Sequence, residues 1–335
     1  MRSQSGIPKL AILTPVFNDW EAFCEFLRKV DERVSTLNFS VDVIAIDDGS
    51  DESARLDASI NSLRALSEVI VISLACNLGH QRAIAVGIAH LNQTLAHDYV
   101  VIMDCDGEDC PADIAILLKA SEEHGNIAVA QRTQRSESRS FRIFYALYKC
   151  VFRSLIGRNI DFGNFCAIPK AHIFRIAHMS GLWSHFAATI IRARIPLTRI
   201  PTVRGQRYAG RSKMNFVGLV THGLSAVAVF GDQLFVRIFV AALMICAVGV
   251  LAGTVIVYIK IFTQLAIPGW ATTVAGFSIT ILLQGVILSA IAAFLTLINR
   301  SSIAFVPAID AIKFISGVQR IKIPCDRNML MKGPN

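Results

Sequence analysis

Two short stretches concentrate carboxylates, Asp47-Asp48-Gly49-Ser50-Asp51 and Asp104-Cys105-Asp106-Gly107-Glu108-Asp109. Like charges held this close are costly unless a cation shares them. Asp104 and Asp106 are one residue apart, so on a continuing strand both face one way; past a strand end, the Gly107 turn lets them converge. Hard carboxylate oxygens of this kind suit Mg or Mn, which also take oxygens from a diphosphate. Each cluster alone has a plainer reading, since Ser50 or Asp51 can cap a following helix and Asp109 can cap one opened by Pro111. Capping does not explain why carboxylates gather at several places that one fold would bring together.

The surrounding pattern supplies such a fold. Short β-branched runs at Leu10–Val16, Val41–Ile46, Val69–Leu74, Tyr99–Met103 and Ile127–Ala130 alternate with helical stretches at Asp19–Val34, Glu52–Leu66, Gln81–Leu95 and Pro111–His124. This alternation predicts an α/β domain whose mainly parallel sheet is covered on both faces. Ligands bind such sheets at the carboxyl ends of the strands. Polar, Gly- or Pro-marked loops stand there, at Thr14-Pro15-Val16-Phe17-Asn18-Asp19, at Asn77-Leu78-Gly79-His80-Gln81 and at the two acidic stretches. Neither a Gly-x-x-x-x-Gly-Lys-Ser/Thr loop nor a Gly-x-Gly-x-x-Gly after the first strand is present, which speaks against P-loop and standard dinucleotide chemistry.

The cysteines and histidines add less. Cys24, Cys76, Cys105, Cys110, Cys150, Cys166, Cys246 and Cys325 show no framework spacing and read as reduced thiols facing the cytosol. Met1-Arg2-Ser3-Gln4 leads into a strand-like run with no cleavable leader pattern. Among the histidines only His80, in a strand-end turn, has a ligand-facing position; Trp183-Ser184-His185 is a candidate pocket lining.

Of 335 residues 53% are hydrophobic and 17% charged, which excludes a disordered chain. Ile238 to Ile259 and Ile261 to Asn299 carry no charged residue, enough for two membrane-spanning helices, the second near Thr273–Ile298 after a turn at Pro268-Gly269 and interfacial Trp270. Arg204, Arg207, Arg211, Lys213 and Arg237 precede the first span, and Arg300, Lys313, Arg320, Lys322, Arg327 and Lys332 follow the second, against Lys260 alone between them. That asymmetry places both ends of the chain on the cytoplasmic side of an inner (cytoplasmic) membrane. Aromatic residues interleaved with cations over Arg135–Arg158 fit a surface-lying amphipathic helix or one docked on the sheet, and Phe216–Phe235 is a further interfacial candidate. The net charge of +8 is therefore read as membrane-directed rather than as a nucleic-acid footprint. Gly249 and Gly253 form a Gly-x-x-x-Gly that allows self-association.

Pro15-Val16-Phe17-Asn18-Asp19, Asp47-Asp48-Gly49-Ser50-Asp51, Asn77-Leu78-Gly79-His80-Gln81, Asp104-Cys105-Asp106 and Arg207-Tyr208-Ala209-Gly210-Arg211-Ser212-Lys213 occur in one order. Together, over about residues 8–235, they resemble the family 2 glycosyltransferases that load a sugar onto a polyprenyl phosphate, such as dolichol-phosphate mannose synthases and their bacterial undecaprenyl-phosphate counterparts. The resemblance implies a Rossmann-like, GT-A-type nucleotide-sugar-binding domain followed by interfacial helices and a transmembrane hairpin. It implies that Pro15, Phe17 and Asp19 border the nucleotide, that Asp47 or Asp48 contacts its base or ribose, and that His80 and Gln81 belong to the substrate site. Asp104 and Asp106 would bind Mg or Mn, with Glu108, where these enzymes usually carry Gln, as a third metal oxygen. Asp109 matches a residue often proposed as base. Arg132, Arg207, Arg211, Ser212 and Lys213 would grip phosphates.

Two departures bear on the site: Gly163-Asn164-Phe165 stands where Gly-Asp-Phe is usual, and Gly107-Glu108 where Leu-Gln is common. The Gln-x-x-Arg-Trp of processive relatives is missing, which implies a single transfer. The expected organisation is a nucleotide-sugar-binding core over 1–134, an acceptor-side region over 135–235, a transmembrane hairpin over 236–299 and a cytoplasmic basic tail over 300–335. The expected reaction is metal-dependent and inverting, from a nucleotide-sugar, UDP-linked before others, to polyprenyl phosphate. Transfer to another lipid-linked acceptor and a non-catalytic, nucleotide-sugar-sensing scaffold are the competing readings.

Overall fold

The acidic loops fall on one rim because the strands carrying them run parallel in one sheet, a single strand apart. In the computed structural model β1 (Lys9–Val16), β2 (Ser40–Asp47), β3 (Leu66–Leu74) and β4 (Tyr99–Ile102) run parallel, with β1 between β2 and β4. Parallel strands present the same end at the same edge, so one-residue-local loops from different strands become a common rim. The structure describes residues 7–52, 56, 58–132, 157, 160–209, 216–263, 269–301 and 305–324. They divide into two compact units, one within Met1–Arg142, Ile160–Val229 and Ala304–Asn335, the other within Ile143–Asn159 and Phe230–Ile303.

In the first unit, β5 (Ile127–Arg132), β6 (Cys166–Pro169), β7 (Leu197–Thr202) and β8 (Ile315–Lys322) complete an eight-stranded sheet in the order β7-β5-β6-β4-β1-β2-β3-β8. β6 is antiparallel to β4 and β5, and β8 to β3, so the sheet is mixed but mostly parallel. α1 (Trp20–Val34) carries Phe23, Phe26, Leu27, Val30 and Val34 on one buried stripe. With α3 (Ile114–His124) it packs on the face that holds Leu10 and Ile12 of β1. Leu13 points the other way, onto α2 (His80–Thr94), where its side chain leaves no room for a Cβ at Gly87. β2 is buried almost throughout; its Asp42 is paired with His97 at 2.8 Å.

Three sequence expectations change here. The helix predicted over Glu52–Leu66 is, among the described residues, a 3₁₀ turn at Ala58–Ser62 running into β3. Leu56, Ile60 and Leu63 do have helical spacing, but the Asp31 carboxylate accepts from the amides of Arg64, Ala65 and Leu66 at 3.1, 2.8 and 2.9 Å. Amides aligned on one carboxylate are unavailable to an i−4 ladder. Second, Ile315–Lys322, read as part of a basic tail, is the edge strand β8. Its residues are all exposed or half-exposed, so it lacks the apolar alternation that marks a strand. Third, the Phe216–Phe235 stretch breaks after α6 (Phe216–Ala228). The amphipathic segment expected over Arg135–Arg158 lies, Gly157 apart, outside the described residues. α4 (Lys170–Ala177) and α5 (Phe186–Ala193) complete the helices used below.

The second unit is a pair of long apolar helices, α7 (Gly231–Phe262) and α8 (Trp270–Ser301), which contain both expected spans. Each is long and apolar enough to cross a membrane. They touch along small residues: Ala242, Gly249 and Ile256 are buried on α7, and Gly285, Ser289 and Ala292 on α8. A Cβ at Gly249 would press Leu282 at 3.0 Å, and one at Gly285 would reach the Cys246 sulfur at 2.5 Å. Outside that seam large aliphatics are bare, Leu251 and Ile279 each at 65%, as lipid-facing helices require. Gly249 is thus used within the chain, while Gly253 faces open space.

Candidate active site

At the β1 and β2 ends the two loops hold each other. Asn18, at φ +50°, donates its backbone N–H to Ser50 Oγ (2.9 Å) and its side-chain amide to Asp51 (2.7 Å), and Asp51 N–H returns to Asn18 Oδ1 at 2.9 Å. Pro15 and Asp19 are half-buried and Phe17 is exposed along this edge. Asp47 accepts from Ser50 N–H (3.0 Å) through one oxygen. Both Asp48 oxygens are taken, by the amides of Leu78 (2.7 Å) and Gly79 (2.8 Å). Asp48 therefore ties the β3–α2 turn to β2, and burial holds its pKa above the usual carboxylate range. Gly49 makes this approach possible, since at φ +70° a Cβ would sit 2.6 Å from the Asn77 nitrogen.

The Asp104–Asp109 loop is closed from below and above. Below, Asp109 is buried with both oxygens engaged, by the Asp104 N–H and by the Arg132 guanidinium, each at 3.0 Å. Above, the segment after β7 lies along the loop: Gly205 N–H donates to the Glu108 carbonyl (2.9 Å) and Tyr208 N–H to the Asp106 carbonyl (2.8 Å). That segment brings Arg207 to Asp106 at 2.8 Å and Arg204 to Glu108 at 2.5 Å, with Arg132 and Arg207 each 3.7 Å from Glu108. Arg204 was visible in the sequence only as one cation preceding a span; its place in the site is set by the chain after β7. Arg211, Ser212 and Lys213 lie outside the described residues.

Asp104 is the exception in this compensated cluster. Among the described residues no donor reaches its carboxylate, and burial, then Asp109 and Asp106, raise its pKa to about 8. Asp106 is also raised, chiefly by burial. Asp104, Asp106 and Glu108 do not stand preassembled as a metal triad among the described residues, because Asp106 and Glu108 are turned into arginine pairs. The donor set nonetheless fits a hard divalent cation: all oxygen, in carboxylate excess, with one carboxylate that accepts no hydrogen bond among the described residues.

A second cluster forms beside this edge from residues far apart in the chain. Gln81 accepts from Phe186 N–H (2.7 Å) and donates to Asn164 Oδ1 (2.9 Å). His185, at the N-terminus of α5, and His222 of α6 are 3.1 Å apart through their Nε2 atoms, and the His80 and His222 rings are 5.5 Å apart. Trp183 packs against Phe305 and Phe314 at ring-centroid distances of 4.2 and 5.4 Å, with Arg82 5.4 Å from its ring. No spacing rule links these histidines. By contrast His97, His172 and His178 make ordinary structural hydrogen bonds.

His185 makes stability pH-dependent. Burial first, then His222 and His80, lower its pKa from 6.5 to about 3. The unfolded chain therefore takes up this proton first on acidification. The stabilisation is whole above about pH 6.5 and falls toward pH 3, by about 1.4 kcal/mol per pH unit. Urea unfolding of the full chain in detergent between pH 7 and 5 should show a slope that His185→Gln reduces; an unchanged slope would count against a buried neutral imidazole.

The profile of Glycosyl transferase family 2 matches residues 11–183, just over half of the chain. Undecaprenyl-phosphate 4-deoxy-4-formamido-L-arabinose transferase of Klebsiella pneumoniae (strain 342) is 26% identical over 229 residues, covering 66% of this chain and 67% of its own. The uncharacterized glycosyltransferase YkcC of Bacillus subtilis (strain 168) is 23% identical over 287 residues, covering 83% and 84%. Among solved structures, mannosyl-3-phosphoglycerate synthase from Rubrobacter xylanophilus aligns with a TM-score of 0.48 at 12% identity, over 68% of this chain and 74% of that one.

Proposed function

The chain belongs to glycosyl transferase family 2, and from that premise we propose that it moves one sugar from a nucleotide-sugar donor, UDP-linked before others, to a polyprenyl phosphate such as undecaprenyl phosphate. The observation that carries this reading is the β4-end loop, in which Asp104, whose carboxylate accepts no hydrogen bond among the described residues, lies beside Asp106 and under three arginines. The Klebsiella relative, named for transfer to undecaprenyl phosphate, and the pair of membrane-length helices support the lipid acceptor.

The reaction assigns distinct work to the residues. Asp104 and Asp106, with Glu108 beside them, would hold Mg or Mn, which when bound supplies Lewis-acid neutralisation of a leaving diphosphate. Arg204 and Arg207 pair with Glu108 and Asp106, and a diphosphate would offer them stronger, bidentate partners. A phosphate monoester has a second pKa of about 6 and is already a dianion at neutral pH. It needs alignment rather than deprotonation, so Asp109, with both oxygens engaged, serves to position the Asp104 backbone and Arg132. Direct displacement by that phosphate inverts the anomeric centre. The basic asymmetry around α7 and α8 supports a cytoplasmic site, with both ends of the hairpin on that side.

The test is transfer of label from a panel of UDP- and GDP-sugars into organic-extractable lipid by full-length protein given undecaprenyl phosphate and Mn or Mg, then chelator. Chelator-sensitive labelling with one donor is expected. Donor hydrolysis without labelled lipid would move the acceptor elsewhere, and intact protein inert to every donor would favour a nucleotide-sugar-sensing scaffold.

A further inference from the structure

The hydrogen bonds around His185 and His222 leave one arrangement of protons. Ala188 N–H donates to His185 Nδ1 at 3.3 Å, so that nitrogen is the acceptor and a neutral His185 carries its proton on Nε2. Nε2–H then donates to His222 Nε2 at 3.1 Å, which leaves a neutral His222 protonated on Nδ1. Neutrality is enforced by surroundings: no carboxylate pairs with His80, His185 or His222 among the described residues, and burial lowers the pKa of each. The Nδ1–H of half-exposed His222 finds no acceptor among those residues.

We propose that His222 offers this Nδ1–H to the phosphate of the lipid acceptor, and that His185 is the positioning residue that sets its tautomer. The inference rests on the reading of the chain as a polyprenyl-phosphate glycosyltransferase. Three observations favour that ligand. A nitrogen that only donates selects a group that only accepts, as a phosphate dianion does. α6, which carries His222, has no charged residue and exposes Val217 (69%) and Leu224 (63%), so polar donor and apolar surface lie on one helix, as an amphiphile needs. The cluster is also tied to the catalytic edge: Gln81 bridges Phe186, next to His185, to Asn164, two residues before the start of β6, and Cys166 there pairs with Ile102, two residues before Asp104.

The experiment uses full-length protein with ¹⁵N-histidine in detergent micelles, whose long-range ¹H–¹⁵N spectra report which ring nitrogen is protonated. His222 should be protonated on Nδ1, and a short-chain prenyl phosphate should shift that resonance while the prenyl alcohol and UDP leave it in place. In transfer assays His222→Phe, which keeps a ring and loses the donor, should raise the acceptor KM about ten-fold or more at unchanged donor KM. His222→Asn, with an amide donor near the Nδ1 position, should recover most of it, and His185→Gln should alter the His222 tautomer. A His222 protonated on Nε2, a shift caused by UDP instead, or robust lipid labelling with no prenyl-phosphate shift would overturn the proposal. A prenyl-phosphate shift in protein that labels no lipid would keep the site and remove the transfer reaction.

Discussion

Asp104→Asn is expected to lower transfer to lipid by about a thousand-fold, whereas Asp109→Asn should lose about ten- to a hundred-fold. The two carboxylates sit in the same loop but have opposite surroundings. Asp104 has no donor among the described residues and is pushed to about 8 by burial, Asp109 and Asp106, so its charge is useful only to a cation brought in from outside. An Asn there keeps the shape and discards that charge. Asp109 is already spent on the Asp104 N–H and Arg132. An Asn at 109 can still accept from one of them, and the loop is loosened rather than stripped of its function. Single-turnover assays, with divalent-ion binding followed separately, read the difference. Equal inactivity of the two variants with metal binding intact would make Asp109 a participant in the chemistry.

Gly205→Ala should cost about a hundred-fold in kcat/KM for the donor while the sheet stays folded. A Cβ at Gly205 runs into the Gly107 carbonyl, and one at Gly107, which sits at φ +92°, would lie 2.6 Å from the Gln206 carbonyl. Both obstacles are backbone, so no side chain can swing aside. The segment must lift, breaking the Gly205–Glu108 and Tyr208–Asp106 bonds and taking Arg204 and Arg207 away from the acidic loop. Arg207→Lys should do less harm, since it keeps a charge and loses only the fork. Because residues 205–208 lie outside every strand, far-ultraviolet circular dichroism should be unchanged. A Gly205→Ala enzyme with ordinary donor kinetics would show that this contact does not build the donor site.

Most of the frame of the site was legible. The runs Leu10–Val16, Val41–Ile46, Val69–Leu74, Tyr99–Met103 and Ile127–Ala130 lie on observed strands or at most one residue past them, because buried parallel strands announce themselves as continuous apolar stretches. The acidic loops stood out as local clusters of charge, and the two long apolar helices needed only length and absence of charge. Partner choice was less legible. Asp48 looked equivalent to Asp47 until the amides of Leu78 and Gly79 took both its oxygens, and nothing local showed that Asp109, matched to a base, is held by the Asp104 N–H and Arg132. β6 was hidden by its four-residue length, and β7 by Pro201 and by its place at the sheet edge.

By itself the sequence determined the family, the parallel strands of the sheet with their acidic rim, and the apolar pair of helices. Each of these is written in periodicity, composition or a contiguous motif, which depend on neighbours a few residues apart. Tertiary structure alone decided that Arg204 joins Arg207 over the acidic loop, and that Gly107 and Gly205 make the closure possible. It alone brought His80, His185 and His222 together. Contacts between residues far apart along the chain leave no local period, because their energy comes from two surfaces meeting and not from the order of residues along either one.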